Sequence, residues 1–441
     1  MHDSTAIAAD PVTDIVRQAM QAHGHGRLEA AEALYLEALQ REPGHPDGLH
    51  LLGVLMAQRG QHQRAAELIG QAVQVRPGEA MFHNNLGNVC VDLNRLDEAQ
   101  ASYLRSLECD PARLDALNNL GVLLSHRGQA EGAEKLLAKV IELSPTFADA
   151  RQNLANHYLR QGWVGDAVQQ CVDGLIVEPR NTALRRLLGA AYSSMNKQVE
   201  AAAVYRAWLA AEPDSVTAAF HLKACTGEDV PDRAPDAYVA QVFDGFAGSF
   251  DAKLAALEYC APQLCADVLA ERLGAPAKTL RVLDAGCGTG LCAPLLAPWA
   301  THLAGVDLSE GMLHKAVARR LYDELACGEL VAYLQTRHAT FDLIVAADTL
   351  CYFGVLGPFA QAAALALRAA GRLVFTVEAH ADEDDAPDFR LHAHGRYSHR
   401  RRYVEAALAD AGLVVDGMQA VILRSEALRP VDGWVVSARA A

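Results

Sequence analysis

The chain has 441 residues, 51% of them hydrophobic, which is too long for one ordinary domain and too apolar for a disordered one. A formal net charge of −15 argues against a phosphate backbone as direct substrate, because nucleic-acid binding rests on clustered lysine and arginine. No apolar run reaches the roughly 18–20 residues of a membrane span. No basic start followed by an apolar stretch marks a secretory signal, and ten cysteines without a C-x-x-C pair fit reduced thiols in a cytoplasmic protein that holds no metal.

The first half repeats. Prolines stand at Pro43, Pro77, Pro111, Pro145, Pro179 and Pro213, each 34 residues after the last. Twelve residues before each is an alanine, from Ala31 to Ala201, and twelve before that a small residue: Ala19, Gly53, Gly87, Gly121, Ala155 and Gly189. Between these two positions fall Gly26, Gly60, Asn94, Gly128, Gly162 and Asn196. Small residues let two helices cross closely, Gly or Asn ends the first helix, and proline ends the pair because it cannot continue a helix. The pattern predicts six helix pairs, with Leu52, Leu86, Leu120, Leu154 and Leu188 in a buried stripe. Ser215–Cys225 then covers the last apolar face.

This pattern resembles the tetratricopeptide repeat, and we expect a repeat domain over residues 11–226. The resemblance implies a concave groove for a protein or peptide. Asn85, Asn119 and Asn153 share one phase of the first helices, and Asn88 and Asn156 another. Related proteins use such amides to grip an extended backbone, since an amide both donates and accepts. The same amides can instead bond one helix to the next.

Thr226–Asp236 (TGEDVPDRAPD) has turn residues and no periodicity, so the linker is expected at 227–236 and the second domain at 237–441. Beyond it, apolar runs at Leu280–Leu283, His302–Val306, Leu343–Ala346 and Leu373–Val377 read as buried strands. Helical stretches at Met312–Leu325 and Phe359–Ala369 separate them, which predicts a mostly parallel sheet under helices. Met418–Leu423 and Trp434–Ala438 follow with no helix between them, as an antiparallel pair closing the sheet.

The sharpest motif runs from Asp284 through Gly286, Gly288 and Gly290, between a strand and a helix. Glycines allow a tight turn and a close ligand, and the helix N-terminus offers free N–H groups. A dinucleotide fingerprint would need Gly or Ala where Leu291 stands, so pyrophosphate is disfavoured. Asp307 ends the next strand 17 residues past Gly290, with Leu308 beside it.

The D-x-G-x-G-x-G form resembles motif I of class I methyltransferases. Together with VFDGFAGSFDAKLAALEYCAPQL, AADTLCYFG and GRYSHRRRYVEAALADAGL, it makes the whole chain similar to bacterial methyltransferases that carry tetratricopeptide repeats. The resemblance implies an all-α repeat superhelix followed by an α/β Rossmann-like domain that binds S-adenosylmethionine. In that reading Asp307 accepts from both ribose hydroxyls and Glu329 meets the adenine amino group. The Phe243/Phe246/Phe250 segment folds over the cofactor as a lid.

Asp348, at the end of the fourth strand, is expected at the mouth of the cleft, with Tyr352 and Phe353 walling the transfer site. Methyl transfer is an in-line displacement that depends mainly on alignment in a dry site. An acceptor that must lose a proton needs a base. LHAHGRYSHRRRY offers His399 as base and Arg396 as an anchor for an acidic acceptor, or else simply packs over the cleft. The acidic run Asp382, Glu383, Asp384 and Asp385 reads as a solvated loop without metal-ligand spacing. The alternative to an enzyme is a repeat scaffold whose second domain binds cofactor without turnover. A small-molecule methyltransferase whose repeats only mediate assembly is a third reading.

Overall fold

In the computed structural model, residues 11–440 are described apart from 249, 382, 384, 385, 427 and 428. Asp382, Asp384 and Asp385 of the acidic run, and the first ten residues on which the signal-peptide expectation rests, lie outside the described residues. The chain forms two compact units, Met1–Leu187 and Leu188–Ala441.

The repeats fold as α1 (Pro11–Gly24), α2 (Leu28–Arg41), α3 (Pro46–Gln58), α4 (His62–Val75), α5 (Ala80–Asp92), α6 (Leu96–Cys109), α7 (Leu114–His126), α8 (Ala130–Leu143), α9 (Ala148–Arg160) and α10 (Val164–Val177), with α11 (Thr182–Ser194) beginning in the first unit. The periodic residues have the expected work. Ala31, Ala65, Ala99, Ala133 and Ala167 are fully buried. A Cβ on Gly53 would lie 2.6 Å from Ile69, and one on Gly87 2.5 Å from Tyr103. Gly26, Gly60, Asn94, Gly128 and Gly162 end the first helices with φ between +57° and +76°.

The second unit starts with the rest of α11, then α12 (Gln198–Ala211) and α13 (Val216–Thr226). α13 begins at Ser215, whose side chain accepts from Ala218 N, and ends at Gly227 with φ +70°. It covers Ala201, Tyr205 and Trp208 with Ala218. The stretch expected as a linker is pinned down. Ala234 is 1% exposed and donates to Tyr352 O, and Asp232 O accepts from Gly354 N and Val355 N.

Helices α14 (Asp236–Phe246), α15 (Phe250–Ala256) and α16 (Ala261–Leu273) lead into the sheet. Its strands are β1 (Leu280–Ala285), β2 (Ala300–Asp307), β3 (Glu324–Cys327), β4 (Phe341–Ala346), β5 (Leu367–Ala379), β6 (Phe389–Leu391), β7 (Tyr397–His399), β8 (Leu413–Glu426) and β9 (Arg429–Ala440). β3, β2, β1, β4 and β5 lie side by side in parallel. β9 pairs antiparallel with β5 and with β8, which closes the sheet as the sequence indicates. The β6–β7 hairpin meets the end of β5 at Glu378 and Ala379.

Alternate residues of the buried strands serve two cores. Leu283 and Ile344 join Leu330, Phe359 and Val404 on one face. Val282 and Leu343 join Leu269, Leu296 and Trp299 on the other. The covering helices are α17 (Ala293–Leu296), α18 (Glu310–Arg319), α19 (Leu330–Gln335), α20 (Gly357–Ala366) and α21 (Arg401–Asp410).

Two helices are shorter than the sequence suggests. The Met312–Leu325 stretch stops at Arg319, Arg320 turns left-handed at φ +56°, and Leu325 belongs to β3. The Phe359–Ala369 stretch stops at Ala366, because β5 begins at Leu367.

Candidate functional site

The glycine turn joins β1 to α17, and its three glycines do different things. Gly286 has φ +75°, and a Cβ there would lie 2.4 Å from both Cγ2 and Oγ1 of Thr349. Thr349 Oγ1 in turn donates to Ala285 O at 2.9 Å. Gly290 has φ +84° and lies against Arg319 and Tyr322, each 3.0 Å from a Cβ. Gly288 has φ +54°, and nothing comes closer to its Cβ position than the Phe250 ring at 4.0 Å. Two glycines therefore let protein pack on the turn, and the third leaves room.

Asp307 ends β2 beside this turn. Its Oδ2 accepts from Gly288 N at 2.8 Å and its Oδ1 from Ser309 N at 2.9 Å. Burial pushes its carboxyl above the ordinary value, while those N–H groups favour the charge. A carboxylate has about four lone-pair sites, and with the Leu308 N–H as a third backbone donor about one remains for a ligand. Asp284 is 1% exposed and accepts from Tyr322 OH at 2.6 Å. Burial pushes its carboxyl up to about 7. Asp284, first residue of the motif and one of its candidate cofactor residues, is thus tied by this bond to Tyr322, which itself packs against Gly290. Glu329 caps α19, taking Val331 N at 2.9 Å and Ala332 N at 2.8 Å. Gly328 N donates to Asp307 O at 2.9 Å, which brings Glu329 close in chain to that strand end.

The aromatic segment lies over this turn. The Phe243 and Phe250 rings meet edge to face at 5.8 Å, and Phe243 meets Tyr352 at 5.5 Å. Leu308, half-buried, packs on the same cluster as Phe243 and Tyr352. Two carboxylates fasten the segment. Asp244 accepts from Ser309 Oγ at 2.5 Å and from Gly311 N at 3.1 Å. Asp251 accepts from Thr289 Oγ1 at 2.5 Å and from Arg319 at 2.6 Å.

At the ends of β4 and β5 lies a network of charges. Asp348, with φ +57°, turns both oxygens to Arg424 at 2.9 and 2.8 Å. Arg424, its side chain 3% exposed, also pairs with Glu378 and, at 2.6 Å, with Glu426. Arg396 bonds Glu378 and both oxygens of Glu426 at 2.6 Å. Burial works against charge on Glu426, yet Arg396 and Arg424 hold it well below the usual carboxylate range.

Family models now bear on these two architectures. One for a methyltransferase domain matches residues 257–416, and three for tetratricopeptide repeats match 22–84, 57–113 and 102–135. The chain joins tetratricopeptide repeats to a methyltransferase domain. A curated relative, methyltransferase-like protein 27 of Homo sapiens, is 40% identical over 105 residues. The match covers 23% of this chain and 43% of the relative, so the chain spans less than half of that protein's length. Among solved structures, the type IV pilus biogenesis factor PilW is 22% identical with a TM-score of 0.44, covering 46% of this chain and 94% of its own. A thermophilic repeat protein of Thermus thermophilus is 24% identical with a TM-score of 0.36, covering 41% and 98%. Such scores carry no functional argument.

Several expected residues of the methyltransferase domain have other duties. His399 is fully buried, donates from Nε2 to Gly354 O at 3.2 Å, and stacks on Tyr403. Burial holds it down to about 4, and a ring closed off from solvent cannot serve as the base. Arg396 is neutralised by two glutamates and is not a free anchor for an acid. Asp348 faces Arg424 instead of an open cleft. Tyr352 is half-buried against Phe243, and burial pushes its phenol well above the ordinary value, so it stays protonated.

In the repeats, the asparagines are bonded to one another between helices. His50 meets Asn85 at 2.9 Å, Asn119 donates to Asn84 at 3.1 Å, and Asn153 donates to Asn118 at 2.9 Å. Each rung links a position to its neighbour 35 residues on. Asn88 takes donors from Asn119 and Tyr103 as well, while Asn156 is half-buried on the same helix as Asn153. Among the described residues, no helix is long and apolar enough to cross a membrane, and no cluster of His, Cys, Asp and Glu would hold a metal.

Sequence reasoning missed Tyr322, Asp244, Asp251 and Arg424. Only the acid-rich VFDGFAGSFD segment hinted at two of them.

Proposed function

We propose that the methyltransferase domain binds S-adenosylmethionine and transfers its methyl group to a protein, peptide or small-molecule acceptor recruited by the repeats. One observation carries the reading: the Asp307 carboxylate and the Gly288 N–H are joined at 2.8 Å at the ends of adjacent parallel strands, and the nearest neighbour of the Gly288 Cβ position is the Phe250 ring at 4.0 Å. Ligands of open α/β sheets bind at such strand ends.

The residues fit the donor. Asp307 keeps acceptor capacity for a ribose hydroxyl beside its three backbone donors, Phe250 and Leu308 offer apolar surface, and Glu329 is the acid for the adenine amino group. When bound, the group supplies an electrophilic methyl on a positively charged sulfur. The chain's own residues orient and exclude. Asp307 fixes the ribose, and Phe243, Phe250 and Tyr352 keep water away. Three carboxylates against two guanidiniums leave the strand-end network negative, which suits a cationic donor. The repeats supply recruitment, since stacked helix pairs present extended concave surfaces. Ten free thiols fit a reducing compartment such as the cytoplasm.

The buried His399 and the neutralised Arg396 favour a second reading, a repeat scaffold whose domain holds cofactor without turnover. Calorimetry with S-adenosylmethionine on the full chain, repeated on Asp307→Ala, tests the donor site, and a wild-type chain that takes up none overturns both readings. Labelled-methyl transfer into fractionated cell extract then chooses between them. Binding without label in any fraction selects the scaffold.

A further inference from the structure

The β6–β7 hairpin carries Arg396, and its turn is held by a helix outside the sheet. His221 of α13 meets Ala393 O through Nδ1 at 3.1 Å, and its Nε2 meets Tyr238 OH at 3.2 Å. A carbonyl only accepts, so Nδ1 carries the proton and Nε2 accepts from the phenol. One ring thus ties the hairpin to lid helix α14, and it stacks on Tyr205 of α12 at 5.3 Å.

The contact is close as well as polar. Gly395 has φ +88°, and a Cβ there would lie 2.5 Å from Tyr238 Oη and 3.3 Å from His221. Phe220 packs on Tyr238 at 4.6 Å and on Tyr397 at 6.5 Å, and Thr217 Oγ1 donates to Gln241 at 3.2 Å. Positions 217, 220 and 221 fall on one face of α13 by helical spacing. A solenoid's last helix is expected to show a polar outer face. This one instead grips the lid on one side and the hairpin on the other. Arg396 follows Gly395 directly and reaches Glu378 at the end of β5.

We propose that His221 is a positioning residue for methyl transfer: it holds lid helix α14 and the Arg396 hairpin in one register, which makes α13 a working part of the methyltransferase site. The inference rests on the reading of that strand-end region as the transfer site. The lid keeps its own fastenings at the glycine turn and α18 through Asp244 and Asp251, so cofactor affinity and transfer should separate.

The test uses the full chain as wild type, His221→Ala, His221→Gln and Tyr238→Phe. Three quantities are measured: S-adenosylmethionine affinity by calorimetry, label transfer into the extract fraction that wild type labels, and hydrogen exchange at the His392 and Gly395 amides. Those amides close the hairpin turn through Arg396 O and His392 O. For His221→Ala we expect turn exchange about tenfold faster and transfer about ten- to a hundredfold slower, since a misplacement near 1 Å can cost about a hundredfold. Cofactor affinity should stay within about twofold, because the group acts on alignment and not on binding. Gln can both donate and accept, so His221→Gln should recover part of the rate. Tyr238→Phe keeps the bond to Ala393 and should lose less. Wild-type transfer by His221→Ala, or cofactor affinity falling in step with transfer, overturns the inference. A wild type that binds no cofactor fails the underlying reading instead, and unchanged turn exchange in His221→Ala still overturns this one.

Discussion

Replacing glycines of the turn by alanine separates room for a ligand from room for protein. At Gly288 the φ of +54° lies in the left-handed region, and the nearest atom to a new Cβ is 4.0 Å away. An L residue reaches that region at a cost of about 1–2 kcal/mol, so Gly288→Ala should lose no more than that. At Gly286 the same backbone cost applies, and the Cβ also lands 2.4 Å from two atoms of Thr349. Overpacking of that kind adds about 1–3 kcal/mol. Thr349 cannot swing away without losing its bond to Ala285 O. In a unit of this size, about 1 kcal/mol shifts the melting temperature by roughly 2–4 °C. Scanning calorimetry of the full chain should therefore show a small shift for Gly288→Ala and one about twice as large or more for Gly286→Ala. With S-adenosylmethionine at about a hundred times its Kd, the wild type should gain about 2.7 kcal/mol. Gly288→Ala should lose most of that gain, because its methyl fills the gap between the turn and the Phe250 ring. Full cofactor stabilisation in Gly288→Ala, or a destabilisation equal to that of Gly286→Ala, would refute the argument that the space is for a ligand.

Asp284, raised to about 7 by burial, binds its proton more tightly folded than unfolded. Its contribution is full below about pH 3.9 and lost as pH rises through about 7, so Asp284→Asn should flatten the stability curve in that window by something on the order of 4 kcal/mol. His399 shifts the other way, held at about 4 by burial. Its contribution is present above about pH 6.5 and lost as pH falls toward 4, on the order of 3 kcal/mol, and His399→Gln should remove that acid sensitivity in urea titrations at stepped pH. In the repeats, Asn119 donates to Asn84 at 3.1 Å and to Asn88 at 3.0 Å. Asn119→Ala should cost the first unit about 1–3 kcal/mol in melting experiments, and an unchanged melting temperature would show that the rungs bear no load.

The repeat half was legible because its constraint is periodic and local. Two helices cross at the same point every 34 residues, so Gly53, Gly87 and Gly121 recur wherever a Cβ would collide. The glycine turn and Asp307 were legible for a similar reason: a left-handed turn between a strand and a helix restricts residue type on its own. The helix overrunning into β3 was not legible. Arg320 supplies the left-handed stop with no glycine to announce it, and a four-residue strand is too short to show alternation.

The misread site residues share a different cause. A charged or titratable side chain has a role only once its partner is known, and here the partners are distant in sequence. Asp348 finds Arg424 76 residues on, Asp244 finds Ser309 65 residues on, and Tyr322 reaches back 38 residues to Asp284. Arg396 reads as an anchor until Glu378 and Glu426 stand beside it. His399 reads as a base because histidine is the usual agent for taking a proton near neutral pH. Yet Tyr397, Ser398 and His399 are all buried, since the hairpin is covered by Phe220 on one side and Tyr403 on another. Removing a single member of such a network leaves a buried charge unpaired, which costs about 3–5 kcal/mol. The same residues that look like chemistry in the sequence are therefore the ones the fold needs first, and the groups left for a ligand are those with unspent lone pairs, with Asp307 foremost among them.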